Sequence, residues 1–197
     1  MNESQMKICL FGGTFDPIHL GHTFIAHQAV SQLGIDKVIF LPCKQSPHKL
    51  ETQSATAEER LNMCQLATSQ LPWAEVSDYD LTSPPPSYSL RTAEHFKSIY
   101  PKAQLFWLMG TDQWQSISRW DRAHHFANLL NIIVYSRDSK AIPVPGFEST
   151  LLNTLQHPAS ATVVRQQIAA DLTTPWLHPH VASSIKENQL YLKSPLD

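Results

Sequence analysis

Apolar residues in this chain gather into short, nearly continuous runs separated by stretches in which they recur at helical spacing. Met6 to Phe11, Lys37 to Leu41, Gln104 to Met109 and Ile132 to Tyr135 are runs of strand length, and Trp73 to Val76 is a shorter one. Runs apolar at almost every position fit strands buried on both faces, as in parallel sheets. Between them, Phe24, Ile25, Ala29, Val30 and Leu33 mark one face of a helix. Thr56-Ala57-Glu58-Glu59 reads as a capping box opening a helix to about Gln70. Ser87 or Ser89 is placed to cap a helix that runs to Ile99, and Ser160 to cap one holding Arg165 and Ile168. A last helix is expected over His180 to Lys186. Asp138 to Pro158 reads mainly as loop, with room for a strand or helix at Leu151 to Leu155. Strands alternating with helices predict an open α/β parallel sheet of about five strands, with helices on both faces and one domain over residues 1–197. In such a sheet the ligand site is expected at the carboxyl ends of the strands, where the strand order reverses.

Composition narrows the function. A chain of 197 residues can bury a sizeable core. A net charge of −2 without a block of like charges argues against nucleic acid as a partner. No apolar run approaches about 18 residues, so no membrane span is expected. The apolar run near the N-terminus is short and leads straight into glycines, unlike a signal peptide. Cys9, Cys43 and Cys64 are odd in number and far apart, which predicts reduced thiols and a cytoplasmic protein. Nothing in the sequence sets an oligomeric state.

The chemistry concentrates in Gly12-Gly13-Thr14-Phe15-Asp16-Pro17-Ile18-His19-Leu20-Gly21-His22, between the first strand and the first helix. Glycines there allow close approach of backbone to an anion and a turn with φ > 0. Asp16-Pro17 reads as the pair that stops the strand and starts the helix. His19 and His22, three residues apart, are expected on one helix face. Further donors follow other strands: Lys44 and His48 after the second, Arg137 after the last predicted one, and Arg165 near the start of a later helix. Asp112, in Gly110-Thr111-Asp112, follows the penultimate one. A set rich in donors and poor in nucleophiles suits phosphoryl or nucleotidyl transfer, where the protein positions reactants and stabilises charge. An attacking phosphate is already anionic and needs no general base. His124-His125 and His178-x-His180 have no third ligand placed near them and read as solvent or packing histidines.

The eleven-residue stretch closely resembles the GGTFDPxHxGH motif of HxGH nucleotidyltransferases. Four further segments sharpen this: Lys44-Gln45-Ser46-Pro47-His48-Lys49, Pro86-Ser87-Tyr88-Ser89, Gly110-Thr111-Asp112 and Ser160-Ala161-Thr162-Val163-Val164-Arg165. With them, most of the chain resembles the bacterial nicotinate-nucleotide adenylyltransferase family. The resemblance implies a Rossmann-like sheet. It also implies adenylyl transfer from ATP, with Mg²⁺, to nicotinate mononucleotide, giving nicotinic acid adenine dinucleotide and pyrophosphate in NAD synthesis. By the same resemblance, His19, His22 and Arg165 are catalytic, the histidines on the ATP phosphates as pyrophosphate leaves. Gly12, Gly13, Thr14 and Phe15 line the phosphate cradle, with Gly21 and Gly110 beside the adenosine. Asp112 holds a ribose, Arg137 sits near the adenine, and Ser160 and Thr162 hold the triphosphate. Lys44 and His48 serve the mononucleotide, while Ser87, Tyr88, Ser89 and Trp120 border its pyridine ring. No protein-held metal is implied. The chain departs from the family at Asp121, where an aromatic is common, at Ser89 for threonine, and at Ala159 for isoleucine. Two alternatives stand beside this reading. One is an HxGH enzyme acting on nicotinamide mononucleotide, pantetheine phosphate or a flavin nucleotide; the other is a non-catalytic nucleotide-binding module.

Overall fold

The computed structural model describes residues 5–44, 55–136 and 142–192. The chain begins β1 (Lys7–Gly13), α1 (Leu20–Leu33), β2 (Lys37–Pro42), α2 (Ala57–Thr68), β3 (Ala74–Val76), α3 (Tyr79–Thr82) and α4 (Ser89–Ile99). It continues β4 (Gln104–Gly110), α5 (Thr111–Ser116), a 3-10 turn (Ile117–Arg119), α6 (Ala123–Leu129), β5 (Asn131–Tyr135), β6 (Thr150–Leu151), α7 (Ala161–Ala169) and α8 (Pro179–Glu187). The sheet has the order β3-β2-β1-β4-β5-β6, and every pairing is parallel. β1 lies between β2 and β4, so the strand order reverses beside it. Such a reversal opens a crevice at the carboxyl ends of β1 and β4.

Each long strand divides its apolar residues between two cores, as the period of two requires. Cys9, Phe11, Val38, Phe40, Phe106, Leu108 and Ile133 face one side, with α1, α2 and α8 packed over them. Ile8, Leu10, Ile39, Leu41, Leu105, Trp107, Ile132 and Val134 face the other, beneath residues of α4, α5 and α6. This two-sided burial explains why the strands read as unbroken apolar runs.

The sheet has six strands where about five were expected. The extra one, β6, is a two-residue edge strand with both residues exposed, paired through Ile133↔Thr150 and Val134↔Leu151. So short and one-sided a strand carries no hydrophobic period to read. Thr56 and Glu59 form the expected capping box of α2. Ser160 Oγ accepts the Val163 N–H at 3.2 Å and caps α7. Neither Ser87 nor Ser89 caps α4: Tyr88 occupies that position without a side-chain cap, and the Ser87 hydroxyl donates to the Asp80 carbonyl at 3.2 Å.

Asp80 itself is buried, and its carboxylate accepts from Thr92 Oγ1 at 2.6 Å, tying α3 to α4. Burial raises its pKa; the Thr92 bond and the Arg91 charge oppose that rise. A carboxyl raised on folding stabilises below its unfolded pKa, and that contribution is lost as pH rises through the folded value. Asp80→Asn keeps an oxygen for Thr92 and removes the buried charge. Its melting temperature should equal or exceed that of the unaltered protein at pH 7 and lose this advantage near pH 4. Destabilisation at pH 7 that shrinks toward pH 4 would show that the charge itself is needed.

Candidate active site

The glycines of the central stretch behave differently from a flexible turn. Gly12 and Gly13 are the last residues of β1, paired with Leu41 and Pro42, and neither has a left-handed φ. The positive φ falls on Phe15, at 50°. Phe15 folds back so that its ring lies on Gly13, where a Cβ would sit 2.9 Å from the ring carbons. At Gly12 a Cβ would meet the Trp107 ring at 3.2 Å. The glycines are therefore needed as space for aromatic rings under the loop rather than for backbone freedom.

His19 is the N-cap residue of α1 and His22 its third residue, so they do not occupy one helix face. Their rings stack instead, with centroids 3.7 Å apart and planes 26° from parallel. His22 Nδ1 accepts the His19 backbone N–H at 3.1 Å, the role that glutamate plays in a capping box. A neutral His22 then carries its proton on Nε2, an assignment made from this bond. The Phe15 ring meets His22 edge-on at 5.0 Å. His19 is buried and His22 half-buried, at the N-terminus of a fourteen-residue helix beside the switch point. The helix dipole and the imidazole donors favour an anion there.

Gly21 and His19 share the wall of a crevice. A Cβ on Gly21 would lie 3.0 Å from His19 and 3.2 Å from His157. The crevice, open to solvent, is lined by His19, Gly21, Tyr135, Ser136, Leu155 and His157 among others. Burial lowers the His157 pKa, and its Nδ1 accepts the Ala159 N–H at 3.2 Å. Opposite, Arg165 on α7 reaches back so that Nη1 donates to the Asp16 carbonyl at 2.6 Å. Tyr191 donates its hydroxyl to Asp16 Oδ1 at 2.6 Å, and burial with the Asp16 contact raises its pKa. Asp16 thus anchors the loop instead of capping α1.

A cytidylyltransferase-like family model matches residues 10–167. A probable nicotinate-nucleotide adenylyltransferase of Methylacidiphilum infernorum is 35% identical, over 96% of this chain and 94% of that protein. One of the same name from Neisseria meningitidis is 34% identical over 95% and 99%. The chain belongs to the nicotinate-nucleotide adenylyltransferase family. The fold agrees with that of the Plasmodium falciparum nicotinic acid mononucleotide adenylyltransferase complexed with NaAD, at a TM-score of 0.75 and 19% identity, covering 95% and 98% of the two chains.

Against that family's motifs, the described residues bring His19, His22, Phe15, Gly13 and Gly21 into one cluster, with Arg165 tied to it through Asp16. Thr14 is half-buried at the end of β1, and Lys44 is exposed just beyond β2. Gly110 closes β4 against the Tyr135 ring, and Asp112 is exposed in the first turn of α5. Thr162 is exposed beside Ser160. Ser87 is buried, Tyr88 exposed and Ser89 the first residue of α4. Trp120 packs on Phe126 at the rim of the second core and donates from Nε1 to Ser116 Oγ at 3.3 Å. His48 and Arg137 lie outside the described residues. Among the described residues no group of three His, Cys, Asp or Glu is placed to hold a metal. Residue-by-residue reading did not pick out Tyr191, tied to Asp16, or His157, beside Gly21. The closing Leu190-Tyr191 was the one sequence signal for the first of these.

Proposed function

We propose that this chain transfers the adenylyl group of ATP to nicotinate mononucleotide, giving nicotinic acid adenine dinucleotide and pyrophosphate in NAD biosynthesis, as one domain over residues 1–197. The observation that carries the reading is the His19–His22 stack at the N-terminus of α1, beside the switch point. The relatives' shared name supports the substrates. The mononucleotide phosphate oxygen bonds to the α-phosphorus of ATP while the bond to the bridging oxygen breaks and its electrons leave with pyrophosphate. No proton need be removed from the attacker. His22, donating from Nε2, and His19 meet the charge growing on the leaving group, with Arg165 beside them. Ser160 and Thr162 take the triphosphate at the start of α7. Gly12, Gly13, Thr14 and Phe15 border the phosphates; Gly21, Gly110, Asp112 and Arg137 the adenosine; Lys44, His48, Ser87, Tyr88, Ser89 and Trp120 the mononucleotide. Mg²⁺ enters as part of the ATP substrate and neutralises phosphate charge.

Three free, buried cysteines and the absence, among the described residues, of a helix long and apolar enough to cross a membrane support our placing the reaction in the cytoplasm. Pyrophosphate release from ATP, Mg²⁺ and nicotinate mononucleotide tests the reading. Release with pantetheine phosphate or a flavin nucleotide in its place would redirect it, and binding without turnover would leave a nucleotide-binding module.

The acid mononucleotide should be preferred to the amide. α4 starts at Ser89 with no side-chain cap, which leaves its first N–H groups for a carboxylate. An amide NH₂ facing those donors is a buried mismatch of about 1–3 kcal/mol. A ratio of kcat/KM values near one, or favouring the amide, would refute this.

A further inference from the structure

Arg60, on α2, is wholly buried. Its Nη1 donates to two backbone carbonyls, Thr14 at 2.8 Å and Cys43 at 2.7 Å, and its Nε to that of Ala55 at 3.4 Å. Its Nη2 is buried and makes no hydrogen bond. Among the described residues it forms no ion pair. A guanidinium stays charged at any pH a protein survives, and a buried charge without a counter-ion is unfavourable unless an anion arrives to offset it. Its field is felt locally: it pulls the Cys43 and Cys64 pKa values down against the rise that burial causes.

The two carbonyls are not arbitrary ones. Thr14 follows the end of β1, and Cys43 follows the end of β2. In a planar trans peptide the C=O and the next N–H point in opposite directions. Holding the Thr14 and Cys43 oxygens on Arg60 therefore turns the Phe15 and Lys44 N–H groups away from α2. Among the described residues neither N–H donates to a backbone acceptor, although the β1–β2 ladder runs up to Cys43 N–H on the Gly13 carbonyl at 2.9 Å. Arg60 takes the carbonyl that the next rung would use.

We infer that Arg60 is a positioning residue for the anionic substrates, aiming the Phe15 and Lys44 N–H groups at a phosphate chain and leaving a compensating charge beneath it. The inference rests on the proposed reaction for the identity of the anion. Its test is calorimetric binding of inorganic tripolyphosphate, which requires no turnover, together with KM for each substrate. Arg60→Gln should bind tripolyphosphate about tenfold or more weakly, the scale of losing charge-assisted donors. Arg60→Lys keeps a cation with three donors and should recover affinity to within about threefold. Arg60→Met, filling the space without charge, replaces the glutamine variant if that one does not fold. A folded Gln or Met variant with unchanged tripolyphosphate affinity would reduce Arg60 to a structural staple and overturn the inference. A protein that forms no dinucleotide, yet loses tripolyphosphate on Arg60→Gln, would overturn the reaction and keep the role of Arg60.

Discussion

Replacing His22 with alanine is expected to lower kcat on the order of 10²–10³, the range for losing one donor to developing transition-state charge. The bridging oxygen gains charge only as pyrophosphate leaves, so KM for ATP should change less than kcat. The structure adds a second consequence. His22 Nδ1 accepts the His19 N–H, so the alanine variant also loses a helix cap. Such a loss destabilises by about 0.5–2 kcal/mol. Activity and stability would then fall together, which alone decides nothing. Glutamine at position 22 separates them, because a glutamine three residues after the N-cap completes a capping box. His22→Gln should regain most of the melting temperature and little of kcat. A glutamine variant that recovers both would assign His22 to the helix start and not to the chemistry.

The sequence made the sheet legible because its strands are buried on both sides. Ile8 to Phe11, Val38 to Leu41 and Leu105 to Met109 are apolar without a break, so a simple run located each strand to within two residues. Capping logic worked where a side chain does the capping, at Thr56 and Ser160. It failed at α4, where Ser87 turns to the Asp80 carbonyl and the helix begins without such a cap. The motif's chemistry was visible, but its geometry was not. Glycines suggested a flexible turn; their space is filled by the Phe15 and Trp107 rings. A spacing of three suggested a shared helix face; an N-cap residue and the third helical residue stack instead. Arg60 and Tyr191 were hidden for another reason. Thr14 lies 46 residues from Arg60 and Asp16 175 from Tyr191, pairings that only the fold creates.

That long-range pairing shapes what to expect at Arg165. On sequence alone it is a helical residue five positions after a cap, whose loss should spare the fold. In the structure its Nη1 holds the Asp16 carbonyl, while Tyr191 holds Oδ1 of the same residue. On the proposed reading Arg165→Ala therefore removes a cation from the phosphate site, and it also removes one restraint on the loop that carries His19. The expected loss in kcat/KM for ATP is on the order of 10², as for one or two charge-assisted hydrogen bonds, with a modest fall in melting temperature. Tyr191→Phe provides the comparison. It removes the Tyr191 tie to Asp16 and leaves the Arg165 charge in place. It should destabilise by about 1–3 kcal/mol, the penalty for depriving a buried carboxylate of a donor, with kcat/KM for ATP within about threefold of the unaltered enzyme. Adding pyrophosphate should raise the melting temperatures of the unaltered protein and of Tyr191→Phe alike, and raise that of Arg165→Ala much less, because binding to the folded state alone stabilises it. If the two variants lose activity equally and respond equally to pyrophosphate, Arg165 acts only by fixing Asp16, and the phosphates are held by α1 and its histidines.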